Sequence, residues 1–442
     1  IFFFQTHIYF PILESDITYK SIFMTQRIVS FFTFSFTLIL IGISAHAQPL
    51  HNAWSPQSLQ WNVPEINDFN DIQWNKEGHL FTRLENENSR PQIVQYDPAD
   101  NFRETIIATA SELTPAGGRK ALDIESYTWY PGHQELLIFT NSKRVWRAHT
   151  RGDFWVLNTR TKKLSQLGKG LPESSLQFAK ISPDGTKAAY VSGHNIYVEE
   201  IQSGNRKQLT TDGTDKIING TFDWVYEEEL FCRDGFRWSP DSKSIAYWQI
   251  DATHIPDYLM LNTTDSIYSF TIPVQYPKVG FNPSSAKIGV VDIDDGDTQW
   301  MRIPGDPVQH YLPRMEWANN SDELIAQQLN RRQDSTKLYM VNVHSGNAKQ
   351  IYEEGSSTWV DLNYIWQYDR AGWDWINDNK EFLWMSEKDG WRHVYRMNAD
   401  GSHERLITKG NYDVINIAGI NGKKNFLYFA ASPQNATQQY LY

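Results

Sequence analysis

The sequence is 442 residues long, 40% of them hydrophobic and 14% aromatic, and it carries a formal net charge of −11. This composition can build a large apolar core and excludes a disordered chain, and the acidic balance without any basic stretch argues against a nucleic-acid partner. The single cysteine, Cys232, excludes an intrachain disulfide framework and a cysteine-based zinc cluster, and we expect it to be a small buried apolar residue.

The N-terminal region has the pattern of an export signal. Residues 1–23 begin with Ile and show no clear pattern. Met24 opens a short basic segment, which is followed by an apolar run over residues 28–43 and then by the small-residue ending AHA. We therefore predict upstream translated sequence, then a signal peptide over residues 24–47, and a secreted or periplasmic mature chain over residues 48–442. An uncleaved membrane anchor is the alternative, but the apolar run is short for a span, so no stable span is expected after cleavage.

The mature chain repeats one theme with a period of roughly 50–60 residues. A turn rich in Pro, Asn, Asp or Gly precedes an alternating strand, and a second strand leads into a polar hairpin. Seven repeat starts align, at Asp71, Ser126, Phe178, Phe236, Met315, Trp373 and Ile415. The period predicts an all-β fold, a β-propeller with about seven four-stranded blades, because each blade buries its face against its neighbours. A two-sheet sandwich is the alternative, but it does not require this self-similarity.

An arginine in the second repeat is a candidate binding residue. In the segment RVWRAH the strand period places Trp146 and Arg147 on opposite faces of a blade's second strand. An inward-pointing Arg147 could donate a fork of hydrogen bonds to a carbonyl or a carboxylate group. The alternative is a surface arginine that pairs with a neighbouring acid.

Three consecutive acids lie in the segment DWVYEEELF, residues 223–231. Among aromatic and aliphatic neighbours, adjacent carboxylates repel one another and lose hydration, so they favour a cation; a primary ammonium group with three donors suits them. In an extended strand Glu228 and Glu229 would point to opposite faces, whereas in a helical turn they diverge by about 100° and both could border one cavity. The alternative is that one acid caps a turn and the others face water.

The interval from Trp238 to Trp317 is longer than the other repeats. An insertion over residues 251–276 occupies the excess, and its two alternating segments predict a strand pair that projects from a blade. Insertions longer than an ordinary loop are usually functional.

The motifs of metal sites and of a serine nucleophile are missing from this chain. The segment VVDIDDGDTQW is similar to a calcium loop, but counting from Asp292 places Gly296 at position five and Ile303 where the bidentate Glu belongs, so we expect a polar hairpin turn. The histidines show no HExxH motif or close metal spacing, and no G-x-S-x-G occurs. We predict no metal site, no cofactor and no catalytic residue within these 442 residues.

The acidic segment and its surroundings resemble the dipeptidyl peptidase IV group of the prolyl oligopeptidase family of serine peptidases. The similarity continues through FRWSPDSKSIAYWQIDATHIP, IPVQYPKVGFNP and SEKDGWRHVYRMNADGSHERLITKGNYDVINI, and it covers most of residues 120–442. It implies an eight-bladed N-terminal propeller followed by an α/β-hydrolase domain. The last repeat stops inside its own hairpin, so we expect an incomplete propeller portion without the hydrolase domain, inactive by itself.

The resemblance also implies a substrate and binding residues. Members of the family release dipeptides from free peptide N-termini, with Pro or often Ala as the second residue. Glu228 and Glu229 would hold the substrate's α-ammonium group, and Glu227 is the weaker candidate. Arg147 would meet a backbone carbonyl of the substrate, although Ala148 stands where the family has His.

The resemblance also implies a role for the insertion, and two alternative functions stay open. The insertion over residues 251–276 corresponds to the arm that helps these enzymes form homodimers. A non-catalytic propeller that binds peptides or proteins is the alternative function. A relative with a different specificity would keep the fold and lose the ammonium-binding acids.

Overall fold

The computed structural model describes residues 72–75, 79–87, 90–130, 132–362, 373–422 and 425–442. They fall in one compact unit, Asn70–Tyr442. The expected signal peptide at residues 24–47, and the sequence before it, lie outside the described residues. Across the described ranges, no helix has the length and apolar character needed to cross a membrane.

The N-terminal strands form two antiparallel sheets. The first sheet follows chain order: β1 Gln73–Trp74, β2 Phe81–Glu87, β3 Arg90–Asp97 and β4 Arg103–Ala108, with a 3-10 turn at Pro98–Asp100. The second has eight strands: β5 Ser126–Tyr130, β6 Glu135–Val145, β7 Ala148–Asn158, β8 Lys163–Gln166, β9 Leu176–Ile181, β10 Lys187–Ser192, β11 Asn195–Glu200 and β12 Arg206–Gln208. This second sheet consists of two four-stranded units, joined where Arg151 and Gly152 of β7 pair with β9.

The central part of the chain contains a five-stranded sheet and a separate hairpin. The sheet contains β13 Ile217–Asn219, β14 Phe236–Trp238, β15 Ser244–Asp251, β18 Ser285–Asp292 and β19 Thr298–Trp300. The hairpin pairs β16 Asp257–Asn262 with β17 Phe270–Gln275 and forms its own two-stranded sheet, which we call the arm. The arm confirms the predicted strand pair within residues 251–276.

Three further antiparallel sheets follow in chain order. They are β20 His310–Trp317, β21 Glu323–Asn330, β22 Ser335–Asn342 and β23 Ala348–Gly355; then β24 Trp373–Ile376, β25 Glu381–Ser386, β26 His393–Asn398 and β27 Arg405–Leu406; then β28 Val414–Asn421, β29 Phe426–Ala431 and β30 Tyr440–Leu441. Six of the aligned repeat starts lie in a strand that pairs with the strand after it, namely β5, β9, β14, β20, β24 and β28, and the start at Asp71 lies outside the described residues. The predicted all-β fold is thereby confirmed, and the number of blades stays a prediction.

Two SPD turns, which begin at Ser182 and Ser239, show how the chain closes between paired strands. The Ser182 hydroxyl donates to Asp184 Oδ1 at 2.6 Å and accepts from the N–H of Lys187 at 3.0 Å. Ser239 makes the same 2.6 Å bond to Asp241 one repeat later. Each serine thus closes a turn between paired strands, which is the capping role expected of this residue.

The turn that follows Asp292 is also a polar hairpin. Asp292 Oδ1 accepts from the backbone N–H of Asp294 at 2.7 Å, and β18 and β19 pair on either side of the turn. The expected hairpin is therefore confirmed.

A large apolar core lies between the five-stranded sheet and the β20–β23 sheet. Trp248 of β15 and Met315 of β20 are fully buried in it, as is Tyr226 of the short helix α1, Trp224–Leu230. The ring of Phe222 stacks on Tyr226 with centroids 5.6 Å apart and lies 5.3 Å from Trp248. Cys232 is fully buried in the same cluster, as expected. This core supports the acidic segment from beneath.

Candidate peptide N-terminus site

The three consecutive acids lie on α1, which is a capped helical turn rather than a strand. The carboxylate of Asp223 accepts from the N–H of Tyr226 at 3.1 Å and from the hydroxyl of Ser284 at 2.7 Å, so it caps the first turn. Phe231 ends the helix in the left-handed conformation, with φ of 57°. Val225 and Leu230 are buried with Tyr226, so packing fixes one face of the helix. Burial also raises the pKa of Asp223.

The helix directs its three glutamates into different surroundings. Glu227 is buried and pairs with Arg233, whose Nε lies 3.3 Å from Glu227 Oε1. The Glu228 side chain is 21% exposed, and Glu229 is exposed. Successive residues of an α-helix diverge by about 100°, which accounts for this distribution. The open choice between strand and helix is therefore settled in favour of a helix.

Arg147 contacts Glu228 across 81 residues of sequence. Its Nε donates to Glu228 Oε2 at 2.7 Å, and an Nη atom lies 2.5 Å from Oε1, so the two groups form a two-pronged ion pair. The Arg147 side chain is nevertheless 66% exposed. The observed arrangement is an exposed arginine paired with an acid, and the acid belongs to the predicted site.

The predicted strand position of Arg147 is wrong. Val145 of β6 pairs with Ala148 of β7, so Trp146 and Arg147 form the two-residue turn of a hairpin. Trp146 has a φ of 49°, which a regular strand does not allow. The tight hairpin register removes the strand alternation, and it carries Arg147 to the hairpin tip, within reach of α1.

A cavity of about 890 Å³ lies beside the N-terminal half of α1. Its walls include Trp146, Arg151, Trp224, Glu227 and Arg233. The base of the arm contributes as well. Glu227 is the acid of the three that lines this space, whereas Glu228 and Glu229, which we expected could both border one cavity, are not among its lining residues.

Glu227 has a stronger electrostatic role than the sequence suggested. Burial raises the pKa of Glu227 to about 7, Arg233 opposes that rise, and the neighbouring Glu228 adds to it. Arg233, six residues after Glu227, was the sequence signal for the ion pair, whereas the raised pKa comes from burial, which the local sequence does not indicate. Glu227 therefore changes charge near neutral pH at the edge of the cavity.

The charges of the cluster leave a negative excess. Arg147 and Arg233 supply two positive charges against three carboxylates, so one net negative charge remains when Glu227 is ionised. Within the described ranges, no salt bridge engages Glu229. A primary ammonium group would supply the missing positive charge and three donors. The arrangement is thus chemically suited to an amine.

Comparisons with known proteins agree with this fold. The sequence model of the protein family described as the dipeptidyl peptidase IV (DPP IV) N-terminal region matches residues 131–442 of this chain. Dipeptidyl peptidase 4 of Trichophyton tonsurans is 25% identical over 363 residues, which are 79% of this chain and 45% of that protein. A probable dipeptidyl peptidase 4 of Emericella nidulans is 24% identical over 369 residues, which are 80% of this chain and 47% of that protein.

Solved structures show the same similarity. The crystal structure of Porphyromonas gingivalis dipeptidyl peptidase 4 matches with a TM-score of 0.75 and 26% identity, over 84% of this chain and 51% of that one. A putative dipeptidyl aminopeptidase IV from Bacteroides ovatus matches with a TM-score of 0.63 and 21% identity, over 82% and 50% of the two chains. The chain spans about half the length of the curated relatives it matches. It belongs to the family of the dipeptidyl peptidase IV N-terminal region, and its fold is the β-propeller of that family.

Proposed function

We propose that this chain is the substrate-gating propeller of a secreted serine dipeptidyl peptidase that releases X-Pro or X-Ala dipeptides. In this proposal residues 24–47 are a signal peptide and residues 48–442 form the propeller. The catalytic Ser, Asp and His are supplied by an α/β-hydrolase domain outside these 442 residues. The observation that carries the proposal is the ion pair between Arg147 and Glu228, with Glu229 beside it.

The proposed binding mode follows from the inventory of donors and acceptors. Glu228 and Glu229 accept hydrogen bonds from the substrate's α-ammonium group, which neutralises the negative excess of the cluster. Arg147 has five N–H donors and uses two of them on Glu228, so three remain for a backbone carbonyl of the substrate. Arg147 therefore holds Glu228 in place and orients the peptide at the same time.

Fixing the amine sets the length of the product. With the α-ammonium group bound at α1, only the peptide bond after the second residue can reach the nucleophile. This is catalysis by positioning, in which binding energy orients the reacting groups. An acetylated N-terminus lacks the charge and would leave the carboxylates without their partner.

Mass spectrometry of the products tests this function. The full-length protein, incubated with a peptide whose second residue is Pro, is expected to release the N-terminal dipeptide and to leave the acetylated form of the same peptide intact. Release of single residues, or cleavage of the acetylated peptide at the same bond, would overturn the proposal. A peptide with Gly as its second residue serves as the control for specificity.

The arm is proposed to form a homodimer interface, in line with the similarity of residues 251–276 to the family. Five of the six residues of β16 are exposed, including Leu259 and Leu261 at 61% and 67%, so apolar side chains face solvent on both sides of the strand. Exposed apolar surface of this kind marks an interaction site.

Charged substitutions in the arm are expected to produce a monomer. Leu259→Asp with Leu261→Asp would bury unpaired charges in the interface, so sedimentation velocity should show half the wild-type mass. Ile106→Asp, at an exposed position of β4, is the matched control and should remain dimeric. An unchanged mass for the arm variant would exclude the arm as the interface.

A further inference from the structure

The end of α1 is attached to strand β20 of the neighbouring sheet. The last carbonyl groups of a helix have no partner within the helix. At this end the N–H of Cys232 turns back to the carbonyl of Tyr226 at 3.0 Å. The carbonyl of Leu230, the final residue of α1, instead accepts from Nη1 of Arg314 at 2.9 Å.

A bulge in β20 makes this attachment possible. The pairing of β20 with β21 skips Leu312 and Pro313, so these residues turn their backbone groups toward α1. The N–H of Leu312 donates to the hydroxyl of Tyr226 at 3.1 Å. The carbonyl of Pro313 accepts from the thiol of Cys232 at 3.2 Å and from Arg314 Nη1 at 2.8 Å. The bulge is thus joined to α1 by the contact between Leu312 and Tyr226, and to the segment just after α1 by the contact between Pro313 and Cys232.

Arg314 is deeply buried, with 2% of its surface exposed. Burial lowers the pKa of Arg314 to about 10, so the guanidinium group stays charged at neutral pH. A buried charge is stable only when hydrogen bonds compensate the loss of water, and Arg314 obtains two from the carbonyls of Leu230 and Pro313. A cation at this position also interacts favourably with the C-terminal end of the helix.

We propose that Arg314 is a positioning residue for the ammonium-binding glutamates, an inference that rests on the proposed function. Glu228 and Glu229 belong to the last turn of α1, directly before the carbonyl that Arg314 holds. Asp223 and Ser284 fix the start of the helix, and Arg314 fixes its end. A misplacement of about 1 Å far from the reacting atoms can cost about 10²-fold in rate, so the anchoring of such a short helix has a kinetic consequence.

The test uses the full-length peptidase and separates ammonium binding from the chemistry. Arg314→Met keeps much of the side-chain volume and removes the donors. It is expected to raise KM for a free-N-terminus dipeptidyl substrate by about tenfold. Labelling of the catalytic serine by a small fluorophosphonate, which needs no ammonium contact, should keep its wild-type rate. Arg314→Lys should recover part of the KM, and Arg302→Met, at an exposed arginine, should match the wild type.

A second variant decides the matter if Arg314→Met does not fold. Tyr226→Phe removes only the acceptor for the N–H of Leu312, and it is expected to raise KM several-fold with unchanged labelling. A wild-type KM in folded Arg314→Met, or in Tyr226→Phe when the first variant is unfolded, overturns the inference. A fall in the serine labelling rate that accompanies the rise in KM also overturns the inference, because the substitution would then have disturbed the catalytic site as well as ammonium binding. If removing Glu228 and Glu229 leaves kcat/KM unchanged, the proposed function fails instead.

Discussion

Replacing Glu228 and Glu229 together with alanine is expected to lower kcat/KM for a free-N-terminus dipeptidyl substrate by about 10²–10³-fold. Hydrogen bonds to charged groups contribute about 1.5–3 kcal/mol each, and every 1.4 kcal/mol is about tenfold in affinity. Glu229 is exposed, so we place the combined effect at about 3–4 kcal/mol rather than at the upper limit. The measurement is steady-state kinetics on the full-length protein.

The kinetic constants distinguish two ways in which the glutamates can act. A raised KM with unchanged kcat would show that they bind the substrate's ground state, whereas a lowered kcat would show that they position the transition state. Asp294→Ala with Asp295→Ala is the matched control, because it removes two adjacent acids from the exposed turn after β18. Equal kinetics for the glutamate variant and this control would contradict the proposed site.

Raising the pH from 4.5 to 7 is expected to lower the free energy of unfolding by about 3 kcal/mol through the ionisation of Glu227 alone. Burial raises the pKa of Glu227 from 4.5 to about 7. Between these two values the native chain keeps a proton that the unfolded chain has lost, so raising the pH favours the unfolded state. Below pH 4.5 both states are protonated and above pH 7 both are ionised, so the contribution changes only within that window.

Glu227→Gln isolates this contribution. The variant cannot ionise, so the difference in unfolding free energy between wild type and variant should change by about 3 kcal/mol from pH 5 to pH 8. Equilibrium denaturation at both pH values, followed by tryptophan fluorescence, supplies the measurement. Glu353→Gln, at an exposed position on β23, should show no such change. A pH-independent difference for Glu227→Gln would mean that Glu227 ionises normally in the folded chain.

The fold was predictable because each repeat carries its own local signals. Alternating strands recur at a regular period, and turns such as the one at Ser182 close through contacts within five residues. The arm was predictable for the same reason, since it interrupts the period. The proposal that Glu228 and Glu229 bind the substrate still rests on three carboxylates in an apolar setting, together with the family resemblance.

The geometry of the site was not predictable, because distant pairings decide it. Periodicity put Arg147 in a strand, but the register of β6 with β7 puts it at a hairpin tip. Nothing local indicates that the bulge before Arg314 turns toward α1, since that depends on how β20 pairs with β21. The raised pKa of Glu227 likewise depends on burial by segments far away in sequence.

The most direct test of the central claim combines the substrate change with the protein change. We would measure kcat/KM for free and N-acetylated forms of one peptide with the wild-type protein and with the Glu228→Ala, Glu229→Ala variant. If the two carboxylates bind the α-ammonium group, acetylation should cost about a hundredfold in the wild type and less than about threefold in the variant. An equal acetylation penalty in both proteins would contradict the claim that these glutamates recognise the peptide N-terminus.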